Sequence, residues 1–168
     1  ADLVAVGNLA ATDVKQVDID LAGTLGGTQG DAAADQVTVT GTSSADQINV
    51  TAVGAKVTVS GLPATVTVDH AEAADRLVVN AGNGNDTINA STLAAGVIGL
   101  TIDAGAGNDT VIGSQGADLI VGGDGNDTVT GGRGDDVALL GAGNDTFIWN
   151  PGDGSDVVEG GAGTDTMV

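Results

Sequence analysis

The chain has 168 residues, 29 of them Gly and 23 Asp or Glu against only 4 Lys plus Arg, for a formal charge of −19 at pH 7. Such acidity argues against nucleic acid or an anionic membrane surface as partner, and no run of about 18 apolar residues is present to insert across a membrane as a helix. The lack of Cys removes disulfides, thiol catalysis and zinc–thiolate sites.

The length fits one domain or two small ones. One Trp, one Phe and no Tyr exclude a core of large aromatic side chains, yet 41% of the residues are apolar. These are almost all Ala, Val, Leu and Ile, and Val and Ile recur at regular intervals, so the disorder that acidity without aromatics would suggest does not apply. The excess negative charge then needs something to neutralise it. The ends, Ala1-Asp2 and Thr166-Met167-Val168, read as those of a mature product or of a piece excised from a longer chain.

In the first half, period-two alternation of β-branched residues predicts strands at Gln36–Thr40, Gln47–Thr51, Lys56–Ser60, Thr65–Asp69 and Arg76–Asn80, with a turn at Gly61-Leu-Pro-Ala64. Asp35 and Asp46 are eleven apart, as are Asp75 and Asp86, and the two pairs are displaced by 40. The stretch Asp2 to Ala11 echoes Asp86 to Ala95, each followed by an alternating segment, Val17–Leu21 and Leu100–Asp103. Gly26 to Asp35 reads as a surface loop in preference to a loose cation-binding loop. The glycine-free turn from His70 to Asp75 reads as a degenerate turn without a cation. His70, the single His, reads as an exposed loop residue despite Asp69 and Glu72 nearby.

The second half is a tandem repeat. Asp109, Asp118, Asp127, Asp136 and Asp145 are spaced by nine; Asp156 follows after eleven and Asp165 after nine more. Glycines precede them at fixed offsets: Gly105/Gly107, Gly123/Gly125, Gly132/Gly134, Gly141/Gly143, Gly152/Gly154 and Gly161/Gly163, with Gly82/Gly84 before Asp86. Two residues after each Asp stands Ile88, Val111, Ile120, Val129, Ala138, Phe147, Val158 or Met167, giving the unit G-G-x-G-x-D-x-U-x with U apolar. Its six glycine-rich residues make a tight turn, and x-U-x is a very short strand. Two units close a coil of 18 residues, so strand n lies beside strand n+2 in two parallel sheets with the U residues between them. The turns then stack in two columns, one with Asp109, Asp127, Asp145 and Asp165, the other with Asp118, Asp136 and Asp156. The 23 residues from Asp86 to Asp109 put these two in one column.

Turns about 4.8 Å apart bring like charges too close for both to ionise freely. Glycine turns also offer backbone carbonyls. A flexible, anionic, all-oxygen site without N or S ligands suits Ca²⁺ better than Mg²⁺, which demands stricter octahedral geometry.

These units resemble the RTX nonapeptide repeats of the hemolysin-type calcium-binding family, over residues 82–168. The resemblance implies a right-handed parallel β-roll, export by type I secretion, and folding on meeting extracellular calcium. It also implies that the repeat Asp and the glycine-turn carbonyls are the ligands. Residue by residue these are Asp86, Gly105, Gly107, Asp109, Asp118, Gly123, Gly125, Asp127, Gly132, Gly134, Asp136, Gly141, Gly143, Asp145, Gly152, Gly154, Asp156, Gly163 and Asp165, for about five to seven Ca²⁺, one of them between Asp86 and Asp109.

Departures from the pattern carry their own expectations. Gly113-Ser114-Gln115-Gly116-Ala117-Asp118 lacks the second Gly, and Ala104 and Leu140 replace the first, which predicts weaker sites. Ala138 predicts thin packing. Phe147-Ile-Trp149-Asn-Pro151 shifts the register by two and predicts a bulged turn.

The expected fold is therefore all-β: a right-handed parallel β-roll or β-helix solenoid with two stacked sheets and longer, irregular coils in the N-terminal half. Residues 1–81 would form a degenerate long-period segment and residues 82–168 the calcium-binding roll. The expected function is a calcium-binding structural segment of a secreted bacterial protein, extracellular or on the cell surface, within a larger parent chain. The alternatives are an accessory domain of a secreted protease, lipase or epimerase, and an adhesin or surface-layer spacer. No Ser-His-Asp set, P-loop or H-E-x-x-H is present, so no catalysis is expected of this segment. Outward residues Leu119, Val121, Val137, Leu139 and Val157 form an apolar stripe expected to meet another chain or domain, unlike the row of Thr110, Thr128 and Thr146 on the other sheet.

Overall fold

The computed structural model describes residues 1–24 and 26–168. Strands are numbered in chain order. The seven-stranded sheet runs β1 (Leu3–Val6), β3 (Gln36–Thr40), β7 (Arg76–Asn80), β9 (Gly99–Ala106), β11 (Asp118–Asp124), β13 (Val137–Ala142) and β15 (Val157–Ala162), all parallel. The nine-stranded sheet runs β16 (Thr166–Met167), β14 (Thr146–Ile148), β12 (Thr128–Thr130), β10 (Thr110–Ile112), β8 (Thr87–Asn89), β4 (Gln47–Val53), β5 (Lys56–Ser60), β6 (Thr65–Asp69) and β2 (Gln16–Asp20). No helix occurs among the described residues. The molecule is a parallel β-roll.

Alternation places one side chain per short strand in the slot between the sheets. Ile88, Val111, Ile120, Val129, Ala138 and Phe147 are all buried there, in one core that runs unbroken from Val6 to Phe147. Val158 and Met167, at the open end, are progressively exposed. Phe147 is the one large aromatic in the slot, at 1% exposure. Phe147→Ala should cost about 3–5 kcal/mol of calcium-loaded stability by leaving a cavity, read as a fall in the chemical-denaturation midpoint.

The five strands expected in the first half are present, with β4 reaching two residues further to Val53. The displacement of 40 is one coil: β3 pairs with β7, and β4 with β8. The coil is long because β4 turns back antiparallel onto β5, and β5 onto β6, before the chain returns to the other sheet. The nine-stranded sheet is thus parallel except for this three-strand meander.

Two expectations are corrected. The Asp2 segment does not occupy the position of its Asp86 echo: β1 lies in the seven-stranded sheet against β3, whereas β8 lies in the other. The hairpin extension leaves an outer edge on β6, and β2 fills it. His70 is not a free loop residue. It adopts φ 61°, and its Nδ1 lies 2.7 Å from Asp20 Oδ1, brought there by the β2–β6 pairing. The loop from Gly26 to Asp35 does lie on the surface, tied by an Ala22–Gly30 bridge and by Ala32 N–H donating to Glu72.

The register shift after Phe147 is absorbed as expected. Asp136 pairs with Asp156, and Asp145 with Asp165, at a displacement of 20 in place of 18. The extra residues fold into a turn in which Asn150 N–H donates to Asp153. Leu119, Val137 and Val157 form one outward row, and Val121, Leu139 and Glu159 the next. Val137 and Leu139 are each 37% exposed.

Candidate metal centre

The turn before each repeat strand is set by glycine. At Gly123-Asp124-Gly125-Asn126-Asp127, Gly123 has φ 110° and Gly125 φ 132°, a backbone region that side chains rarely enter. The second and fourth positions of the other regular repeat turns have the same sign of φ. The first position does not, which is why Ala104 and Leu140 are accommodated there as buried residues. A Cβ on Gly123 or Gly141 would collide with the carbonyl of Gly105 or Gly123 one coil away. Glycine carbonyls from successive coils are therefore stacked between the turns.

The carboxylates form two ladders. In what we term the second column, that of Asp109, Asp46 N–H donates to Asp86 Oδ1 at 2.7 Å, Asp86 to Asp109 at 2.7 Å, Asp109 to Asp127 at 2.8 Å, Asp127 to Asp145 at 2.8 Å and Asp145 to Asp165 at 3.0 Å. In the first column, that of Asp118, Asp2 N–H donates to Asp35 Oδ1, Asp35 to Asp75 at 3.0 Å, Asp118 to Asp136 at 2.8 Å and Asp136 to Asp156 at 3.1 Å. Outside the second column, Asn85, Asn108, Asn126 and Asn144 make a parallel ladder, each Oδ1 accepting from the next coil. Uncharged Asn at this position adds no repulsion to the carboxylates beside it.

At six of these carboxylates the ladder satisfies one oxygen and leaves the other. Oδ2 of Asp86, Asp109, Asp127, Asp136, Asp145 and Asp156 is buried without any hydrogen-bond partner, and the first five of these residues are 1% exposed. An unpaired buried anionic oxygen is costly, and native domains contain few. Burial accordingly pushes Asp109 up to about 6 and Asp136 up to about 7, against the opposing pull of the ladder N–H. It raises Asp86 and Asp127 as well.

A hard cation fits these oxygens. No three Asp, Glu or His side chains converge on one point among the described residues. A cation here must therefore draw much of its shell from the backbone, which excludes a zinc-type side-chain cage and suits Ca²⁺ with its mixed carboxylate and carbonyl ligands. The residues that would hold it are the six Asp with a free Oδ2, together with the carbonyls of the stacked glycines, Gly105, Gly107, Gly123, Gly125, Gly132, Gly134, Gly141, Gly143, Gly154 and Gly163; Gly152, expected among them, stands in the bulged turn with nothing of the neighbouring coil within 4 Å of its Cβ position. Asp165 ends the second column, and its Oδ1 accepts from Asp145.

Asp118 is different. Ser114 donates its backbone N–H to Oδ2 and its hydroxyl to Oδ1, the latter at 2.8 Å. Burial still raises Asp118 to about 6, although both Ser114 bonds pull it down. Asp46 and Asp75 are column members that the motif did not single out, and neither is short of partners. Thr42 serves Asp46, and Glu72 N–H donates to Asp75 Oδ2 at 2.8 Å. The signal available in the sequence was a Ser or Thr four residues before the Asp, at Thr42/Asp46 and Ser114/Asp118.

A glycine-turn roll with two stacked carboxylate columns is a calcium-binding structural β-roll. The family model of the RTX calcium-binding nonapeptide repeat matches the chain in four copies, at residues 78–92, 101–120, 112–147 and 152–168, so the C-terminal half carries repeats of that family. Searches of curated proteins and of solved structures found no match.

Proposed function

We propose that this segment is a folding-on-calcium module of a secreted bacterial protein, exported unfolded by a type I system and ordered outside the cell. The observation that carries the reading is the set of six buried, unpartnered Asp oxygens. Without cations these turns place anionic oxygens where neither water nor a donor reaches them, and each short strand buries one apolar side chain. That burial is small against about 1–2 kcal/mol of backbone ordering per residue. Calcium supplies the positive charge that completes the turns, so its binding free energy becomes folding free energy. A low-calcium cytosol and a calcium-rich exterior would then set where the chain folds.

Six free oxygens accord with about five to seven ions. The role proposed is structural and not catalytic, because the buried repeat carboxylates are committed to stacking. The outward row of Leu119, Val121, Val137 and Leu139 is the face through which the roll would meet the rest of a longer chain.

The test is circular dichroism of the 168-residue chain with millimolar Ca²⁺ and with excess chelator. Strand signal should fall substantially on chelation and return on adding Ca²⁺. Equal strand content in both buffers would overturn the reading.

A further inference from the structure

Among the described residues, two turns head a run of the ladder with no Asp N–H reaching them, whereas the run that starts at Asp35 is reached by the N–H of Asp2. Asp46 receives no N–H from the coil before it, where Asp13 stands 33 residues earlier, the β1–β3 displacement, but makes no rung to it. Asp118 follows the segment 90–98, which contains no Asp and interrupts the first column between Asp75 and Asp118. At both heads the ladder is open on one side: each Asp donates its N–H onward, to Asp86 or to Asp136, with no coil before it donating to its Oδ1.

Both heads are closed by the same device. Thr42 donates N–H to Asp46 Oδ2 at 2.7 Å, and its hydroxyl lies 3.2 Å from Oδ1. Ser114 does the same for Asp118, with its hydroxyl 2.8 Å from Oδ1. In each case the residue stands four before the Asp, where the regular turn has a left-handed glycine. Neither Thr42 nor Ser114 has positive φ, and neither does Gly116. These two turns therefore follow a different path, one that turns an N–H onto the oxygen left bare elsewhere. The contrast holds within the runs that these two turns head: Asp86, Asp109, Asp127 and Asp145 after Asp46, and Asp136 and Asp156 after Asp118, have a bare Oδ2, and the two heads do not.

We propose that Thr42 and Ser114 act as cation stand-ins, so that the head turn of each column forms without calcium and serves as the cap on which calcium-requiring turns stack. The hydroxyl and amide supply at the head what a cation supplies further along. Coil order then has a direction, from metal-independent heads towards the C-terminal end. Gln115 fixes the second cap to the coil before it, through its N–H to Leu93 O at 2.9 Å and its side-chain amide to Ser91 O at 2.8 Å.

The inference rests on the calcium reading above, and one experiment separates the two. Amide hydrogen exchange of the 168-residue chain is measured in excess chelator and in Ca²⁺. In chelator, the amides of 42–50 and 114–122 should stay protected, while those of 132–136 and 141–145 exchange freely. Ser114→Ala should lower chelator-state protection over 114–122 by about tenfold, the scale of one buried hydrogen bond, whereas Ser114→Thr, which keeps the hydroxyl, should not. If 114–122 exchanges as freely as 132–136 in chelator, or if Ser114→Ala changes nothing, the caps are wrong and the calcium reading stands. If every turn stays protected in chelator, the calcium reading fails and the caps with it.

Discussion

Gly125→Ala is expected to lower the folding equilibrium constant at a fixed Ca²⁺ concentration by about thirtyfold or more, and so to raise the calcium concentration needed for half-folding. Gly125 has φ 132°, and a Cβ there would lie 2.5 Å from the carbonyl carbon of Gly107, against backbone on the neighbouring coil. No rotamer relieves a backbone clash, so two coils must part, and the carbonyls that would complete the metal shell part with them. The dihedral strain alone is about 1–3 kcal/mol; about 2 kcal/mol corresponds to that thirtyfold shift. Gly54→Ala is the control: Gly54 also has positive φ, at 61°, but nothing lies within 4 Å of the added carbon. Calcium titration followed by circular dichroism compares them. Equal midpoints for Gly125→Ala and the parent would show that coil stacking does not depend on this contact.

The repeat made this geometry readable in advance. Nine-residue phasing placed Asp109, Asp127 and Asp145 in one column and Asp118 and Asp136 in the other, and the ladders follow that division. The longer spacing in the first half also carried through, because the displacement of 40 between the Asp35/Asp46 and Asp75/Asp86 pairs is a coil repeat like that of 18. Alternation located β5 and β6 but could not name their partners. A strand with one buried face reads the same whether its neighbour runs parallel or antiparallel, so the meander was invisible and β1 and β2 could not be assigned to a sheet. The His70–Asp20 contact spans 50 residues and exists only because of that meander. Ser114 was read through what it lacks, the freedom of glycine. Its gain, an N–H and a hydroxyl turned onto Asp118, depends on a backbone path that the sequence pattern does not specify.

The same buried carboxylates predict an inverted pH response with and without calcium. In the calcium-free fold, burial raises Asp109 and Asp118 to about 6 and Asp136, which also faces the charges of Asp118, Asp156 and Asp153, to about 7; Asp86 and Asp127 are raised too. In the unfolded chain each returns to about 3.8. The folded state therefore holds more protons than the unfolded state between about pH 4 and 7, and there stability falls as pH rises. Below about pH 4 the protonated carboxyls are neutral in both states, and this stabilisation is fully present; above about pH 7 it is gone. Calcium requires the deprotonated oxygens, so protons compete with it over the same window. In metal-stripped buffer the strand signal should be strongest near pH 4 and fade towards pH 8. At fixed Ca²⁺ the trend should reverse, with the half-folding calcium concentration climbing as pH drops below about 7. Asp136→Asn removes the group with the highest value and should flatten the metal-free profile at its upper end while weakening the calcium response. A metal-free strand signal that grew with pH would mean that the column carboxylates are solvated in the calcium-free chain, and that cations do not answer a buried charge.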